Sequence, residues 1–191
     1  EQLTYVGRGG LKMENFLTDS GYKVAGLHVL DLGASTGGFT DCLLQQGASE
    51  ATCVDVGHGQ LHYRLRTDER VHNFEKTNLR NITPQDIPDC PFPLIVMDLS
   101  FISLRKVLPA AWSFLAPQGK IISLVKPQFE CKKEEADSGK GIIRDPEIHK
   151  RVLNDIKQFA KTNLSGSSLL AEKSARPQGT DGNQEFFLCW E

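Results

Sequence analysis

Five short apolar runs, each closed by a small or charged residue, constrain the fold more than any other feature of this chain. They lie at 28–33 (HVLDLG), 51–56 (ATCVDV), 71–74 (VHNF), 94–98 (LIVMD) and 121–125 (IISLV). Their side chains are apolar nearly throughout rather than alternating, as expected of strands covered on both faces. Helical candidates fall at 39–46, 61–66 and 104–115, so strand-plus-helix units recur about every 20–25 residues, the rhythm of βαβ crossovers. Asp145 and Pro146 read as N-cap and first residue of a helix running to Lys161. Two final strands are predicted at 168–173 and 185–190, separated by the turn-rich stretch 174–183. The longest predicted loop is 128–144. The expected architecture is α/β, an open and mostly parallel sheet.

Composition closes off the other classes. The 191 residues carry 22 Lys+Arg against 24 Asp+Glu, a net charge of −2, so the chain as a whole is no nonspecific polyanion binder. With 39% hydrophobic and 24% charged residues it suits one globular domain, 1–191, and not disorder or coiled coil. The five cysteines are widely spaced and contain no C-x-x-C pair, which favours buried reduced thiols, with Cys53 and Cys189 as core, in a cytoplasmic protein. No apolar run approaches the ~18 residues of a membrane span, and none reads as a signal peptide. His28, His58, His62, His72 and His149 show no metal-like spacing, so no metal is expected.

Ligands of open parallel sheets bind outside the carboxyl ends of the strands, so the residues there matter most. Asp31-Leu32-Gly33-Ala34-Ser35-Thr36-Gly37-Gly38-Phe39 is a strand, a small-residue turn and a helix start. Its G-x-x-x-G-G spacing matches neither the dinucleotide G-x-G-x-x-G nor a P-loop, and no Lys follows to hold a phosphate. Asp55 ends the next strand, 22 residues beyond Gly33, where a carboxylate is placed to accept both hydroxyls of a ribose. A glycine turn, a ribose-binding acid and no phosphate lysine point to an adenosyl ligand carrying an amino acid, S-adenosylmethionine, with Asp31 near its ammonium. A plain βα turn with an incidental Asp is the alternative. Asp98 and Lys126 close two further apolar strands. Charges there are costly to desolvate unless paired or serving a ligand, and a strand-end ion pair explains them equally well. Lys12 and Glu185, taken alone, pass as surface charges.

Several segments together resemble the TlyA, or hemolysin A, family of FtsJ-like ribosomal RNA methyltransferases. They are YVGRGGLK at 5–12, DLGASTGGFTD at 31–41, VDVGHGQ at 54–60, DLSFIS at 98–103, VKPQFE at 125–130 and GKGIIRDP at 139–146. Gly7 stands where the family often has Ser. The resemblance implies a Rossmann-like class I methyltransferase fold, with helices on both faces and an antiparallel strand near the C-terminus. It implies methyl transfer from S-adenosyl-L-methionine to a ribose 2′-hydroxyl of ribosomal RNA, typically of cytidine. By motif, the Lys-Asp-Lys-Glu catalytic set falls on Lys12, Asp98, Lys126 and Glu185. Cofactor contacts fall on Asp31, Gly33, Ala34, Ser35, Gly37, Gly38, Phe39, Asp55 and Val56, and on Asn78 after the third strand. Family members usually begin with a small S4-type RNA-binding domain, so this chain resembles the catalytic part alone, with ribosomal RNA or ribosomal subunits as partners.

A ribose hydroxyl must lose its proton as it attacks, and a base works best with a pKa near the working pH, far below the ~10.4 of a free lysine. Lys126 therefore reads either as a base or as an ammonium stabilising the developing oxyanion. Asp98 would orient it, Lys12 would position the ribose oxygen, and Glu185 would hold a lysine. Arg8, Lys132, Lys133, Lys140 and Arg144 adjoin these motifs and are the expected phosphate contacts, ahead of Arg64 and Arg66. Such contacts position RNA without reading its sequence. The family's historical name suggests a second reading, a membrane-active cytolysin, but no spanning or strongly amphipathic apolar segment supports it.

Overall fold

The structure, a computed structural model, describes residues 4–191. Seven strands form one sheet: β1 (His28–Leu32), β2 (Glu50–Val54), β3 (Val71–Phe74), β4 (Phe92–Met97), β5 (Leu115–Val125), β6 (Leu169–Ser174) and β7 (Phe186–Trp190). Their order is β3-β2-β1-β4-β5-β7-β6, parallel from β3 to β5, with β7 antiparallel to both of its neighbours. All five apolar runs are strands, and both C-terminal strands are present.

Each central strand is buried on both faces. Leu30, Leu32, Val54, Ile95 and Met97 point to one side, where they meet α4 (Leu108–Ser113) and α7 (Pro146–Asn163). Val29, Ala51, Cys53, Val96 and Ile122 point to the other, towards α1 (Gly9–Ser20) and α2 (Gly38–Gln45). The uninterrupted apolar runs thus follow from a sheet sandwiched between two helical layers. Helix α7 begins as its sequence indicates: the Asp145 side chain accepts from the Glu147 N–H at 2.9 Å, and Pro146 occupies the first turn.

Four segments differ from the sequence reading. The stretch expected as a long loop holds α5 (Pro127–Glu130) and α6 (Lys133–Ser138), while α3 is the short Tyr63–Arg66. Pro127 pre-sets the first turn of α5, and Glu135 ties α6 down by accepting the Lys132 N–H at 2.9 Å and pairing with Arg151 of α7. Helix α1 was not signalled, because its glycines and polar residues obscure the buried stripe Lys12, Met13, Phe16 and Leu17. The helix expected over 104–115 breaks into a 3₁₀ turn, Leu104–Lys106, and α4, whose first turn contains Pro109.

Ile156 is fully buried on the inner face of α7. Ile156→Ala is expected to destabilise the protein by about 2–5 kcal/mol through lost transfer energy and the cavity left behind. Urea unfolding followed by circular dichroism measures it.

Candidate functional site

The strand register places the polar strand-end residues on one rim. Leu32 of β1 pairs with Val54 of β2 and with Met97 of β4. Gly33, Asp55 and Asp98 are therefore the next residues on three neighbouring strands. The Gly33 N–H still donates to Val54 O at 2.8 Å, and the Asp98 N–H to Leu32 O at 3.3 Å. Sheet order reverses between β1 and β4, the switch point at which open α/β sheets leave a crevice.

Two glycine-rich segments close over this rim by packing on each other. A Cβ on Gly7 would stand 2.7 Å from Thr36 Oγ1, and one on Gly38 would stand 2.9 Å from Gly10 N. Gly33 and Gly37 have φ of 81° and 101°, and their missing Cβ atoms face Asp98 O and the Leu61 and Leu65 side chains. The glycines of this turn are thus required by contacts inside the protein, beyond any approach of a ligand. Their effect is to set the start of α1 against the turn between β1 and α2.

From that position Lys12, itself buried, donates to Glu185 Oε1 at 2.6 Å. Lys126 Nζ lies 2.5 Å from Asp98 Oδ1 and donates to Ser100 Oγ at 3.2 Å. Asp98 Oδ1 has no aligned hydrogen bond of its own, so the contact with Lys126 is an ion pair. Val125 pairs with Phe186, so Lys126 and Glu185 occupy the next rung of the β5–β7 ladder. All four polar residues therefore gather at the carboxyl rim as two ion pairs.

Asp31 sits beneath the turn, fully buried. One carboxylate oxygen accepts from Thr40 Oγ1 at 2.7 Å, and the other, Oδ1, has no partner. Burial is the chief cause that pushes its pKa up to about 7; the Thr40 hydrogen bond opposes this, while Asp98 and Asp55 add to it. An orphaned, buried carboxylate oxygen is the counterpart of a cation. Asp55 accepts the Ser35 N–H at 2.6 Å and the Gly57 N–H at 2.9 Å, which draws the turn over it, and the exposed Val56 follows. Asn78 is exposed, and its side chain accepts from the Arg80 N–H in its own local turn, while its neighbour Thr77 donates its N–H to Asp55 O at 2.9 Å.

Among the basic candidates, Arg8 donates to Gln178 O at 2.8 Å, Arg64 pairs with Asp41 at 2.7 Å, and Arg66 pairs with Glu75. Lys132, Lys133, Lys140 and Arg144 are exposed and make no ion pair among the described residues.

The model of the FtsJ-like methyltransferase family matches residues 5–191. This chain belongs to the FtsJ-like methyltransferase family. It is 44% identical over 187 residues to the Bacillus subtilis protein named "Putative rRNA methyltransferase YqxC", covering 97% of this chain and 65% of that one. It is 42% identical over 184 residues to the Mycobacterium tuberculosis 16S/23S rRNA (cytidine-2'-O)-methyltransferase TlyA, covering 96% and 67% respectively. The chain thus spans about two thirds of the length of these curated relatives. A solved Lactococcus lactis structure titled "a putative hemolysin" superposes with a TM-score of 0.93 at 40% identity, covering 99% of this chain and 89% of that one. A Lactobacillus ribosomal protein L11 methylase, 17% identical, shares the fold at a TM-score of 0.61 over 95% of this chain and 74% of its own. The fold is the Rossmann-like methyltransferase fold, with the antiparallel strand where the family resemblance put it.

Three residues of this FtsJ-like rim escaped sequence reasoning. Ser100 contacts Lys126, as above. Glu130 accepts from Ser103 Oγ at 2.6 Å and from the Leu104 N–H at 2.7 Å, joining the segments after β4 and β5. Buried Asn183 accepts from the Ile143 N–H and donates to Gly141 O, both at 2.8 Å, pinning the 139–146 segment beside Glu185. Ser100 and Glu130 lie inside the DLSFIS and VKPQFE segments without a role assigned to them, and for Asn183 the signal was an Asn two residues before a charged strand start.

With its folded-state pKa raised to about 7 against about 4 unfolded, Asp31 binds a proton in the native state that the unfolded chain has released. Its contribution therefore erodes by roughly 1.4 kcal/mol per pH unit between about pH 4 and 7 in the ligand-free protein. Asp31→Asn is expected to remove that part of the slope and to gain on wild type as pH rises to 7. Urea unfolding of both proteins from pH 5 to 8 measures the difference.

Proposed function

We propose that this chain is the catalytic domain of an S-adenosylmethionine-dependent rRNA methyltransferase, acting on a ribose 2′-hydroxyl of cytidine. The observation that carries the reading is the pair of Lys–carboxylate contacts beside the glycine turn at the switch point of a methyltransferase fold. The names of the relatives supply the nucleotide and the position of the methyl group.

The chemistry of the rim residues suits this cofactor. Asp31, whose Oδ1 is buried and unpartnered, would hold the ammonium group. Asp55 retains lone pairs that would take the ribose hydroxyls, Val56 would meet the adenine, and the turn from Gly33 to Phe39 would hold the methionine part. When bound, S-adenosylmethionine supplies a methyl group on a positively charged sulfur. Everything else falls to the protein. Lys126, oriented by Asp98 and Ser100, aims Nζ at the attacking hydroxyl, where it either takes the proton or holds the developing negative charge. Lys12, oriented by Glu185, positions the ribose oxygen. Arg8 and the exposed Lys132, Lys133, Lys140 and Arg144 hold phosphates, and an S4-type domain preceding this chain adds the remaining RNA affinity. Among the described residues, no helix is long and apolar enough to cross a membrane.

Asp55→Ala is expected to weaken cofactor binding by about 1–3 kcal/mol, the cost of losing charged hydrogen bonds to buried hydroxyls. Calorimetry with S-adenosylmethionine on a folded variant measures it, and unchanged affinity would remove Asp55 from the site.

Lys126→Ala is expected to abolish methyl transfer to ribosomal subunits and to leave S-adenosylmethionine affinity nearly intact, because its contact with the hydroxyl strengthens only in the transition state. Lys126→Arg rescues little, since guanidinium cannot act as a base and has another donor geometry. Single-turnover rates against pH separate the two roles. A base gives a rate that rises with pH and levels off, whereas an ammonium gives a rate lost at high pH. Wild-type single-turnover methylation by a folded Lys126→Ala protein would defeat both.

A further inference from the structure

The opposite rim of the sheet carries a cluster that the proposed reaction does not use. His28 opens β1, Glu50 opens β2 and His72 is the second residue of β3. In the parallel register His28 is level with Glu50, and Thr52 is level with His72. All four side chains therefore project from one face at the amino ends of three neighbouring strands. Residues far apart in sequence are brought together by the ladder.

Glu50 Oε2 lies 3.3 Å from His28 Nδ1 and 3.4 Å from His72 Nε2. The three ligand atoms lie within 4.8 Å of one another. Ligands at about 2.0–2.1 Å from a tetrahedral Zn²⁺ stand about 3.3–3.4 Å apart, which is the length of both edges at Glu50, and His28 and His72 need only close on each other from within 4.8 Å. His72 Nε2 is shielded from solvent and has no hydrogen-bond partner, which leaves a nitrogen aimed at the cluster and unsatisfied. His28 Nε2, on the far side of its ring, is 2.8 Å from Thr52 Oγ1, and the ring stacks edge-on against buried Phe92. A hydrogen bond from the second ring nitrogen is the usual device that fixes the orientation of a metal-binding imidazole.

We propose that His28, Glu50 and His72 bind a divalent transition-metal ion of the Zn²⁺ class, with water completing the tetrahedron. Two imidazoles and one carboxylate form a donor set suited to such ions rather than to Ca²⁺ or Mg²⁺. The ion would clip β3, the outer strand on this side, to β1, with which it shares no ladder. The site lies a strand's length from Gly33, roughly 16 Å at ~3.3 Å per residue, so it acts on the sheet and not on methyl transfer.

The test uses Co²⁺ and Zn²⁺ alone, added to the metal-stripped chain. One equivalent of Co²⁺ is expected to give the intense visible absorption of four-coordinate cobalt, Zn²⁺ to displace it, and Zn²⁺ to raise the melting temperature. His72→Gln and Glu50→Gln, both at partly exposed positions, are each expected to weaken Zn²⁺ binding by at least ~10-fold. The same variants should keep wild-type affinity for S-adenosylmethionine. A weak, six-coordinate cobalt spectrum from the wild-type chain would overturn the proposal without recourse to any variant. So would Zn²⁺ affinity unchanged by both substitutions, which would place the ion on other side chains.

Discussion

The contact between the two glycine-rich segments is the constraint on which the rest of the rim depends. Gly38 backs onto the backbone of Gly10, and Gly7 onto Thr36, at distances no side chain can share. Gly10 itself lies so close to Tyr5 that an added Cβ would stand 2.5 Å from the Tyr5 side chain. The same close approach fixes two things at once. It holds the turn over Asp31 and Asp55, and it sets the axis of α1 so that Lys12 points inward along the buried face of its helix. A methyl group at Gly38 would crowd the backbone of Gly7, Gly9 and Gly10 and force the start of α1, which carries Lys12, to shift.

The two ion pairs are built differently, and the difference bears on their roles. Lys12 and Glu185 have side-chain exposures of 8% and 4%, while those of Lys126 and Asp98 are 12% and 28%. Removing one member of a buried pair leaves its partner charged and unsatisfied, a penalty of about 3–5 kcal/mol. The Lys12–Glu185 pair is therefore bound into the fold as well as into the proposed site, and a loss of activity on its mutation mixes the two. Lys126 and Asp98 lie nearer to solvent, Asp98 Oδ1 lacks an aligned hydrogen bond, and Ser100 is the other contact of the ammonium. That pair has less to lose structurally and more freedom to turn towards a substrate, which is why Lys126 is the cleaner probe of chemistry.

Sequence alone was a good guide wherever one strand carried the information. The five apolar runs, the capped start of α7 and the pairing of Asp98 with Lys126 all follow from local pattern plus the rule that strand-end charges need partners. It was a poor guide wherever the information lay between elements. Lys12 had no local signal because α1 begins with glycines chosen for contact with another segment, at the expense of helix propensity. Glu185 was visible only through resemblance to a family. Asn183, Glu130 and Ser100 act by joining loops, and loops meet only once the sheet has formed. The closeness of His28 and His72 was invisible to spacing for the same reason. In a parallel sheet, neighbours are set by register and crossover length, so His28 and His72 can share a carboxylate across 44 positions of chain.

The antiparallel strand explains how the fourth polar residue reaches the rim. Parallel strands can deliver only their carboxyl ends to a common edge, and β1, β2, β4 and β5 deliver Gly33, Asp55, Asp98 and Lys126 in this way. Each such residue needs a helical crossover to bring its strand back. β7 instead returns in the opposite sense beside β5 and presents its amino end, so the residue preceding Phe186 stands opposite the one following Val125. Glu185 therefore arrives from a loop and can be braced by it: the Ala175 N–H donates to its carbonyl at 2.8 Å, and Asn183 anchors the approach. One reversed strand thus adds a carboxylate beside the Lys126 strand end and within hydrogen-bond distance of Lys12. The position of the Lys12 ammonium is thereby tied both to the sheet, through Glu185, and to α1, which carries it.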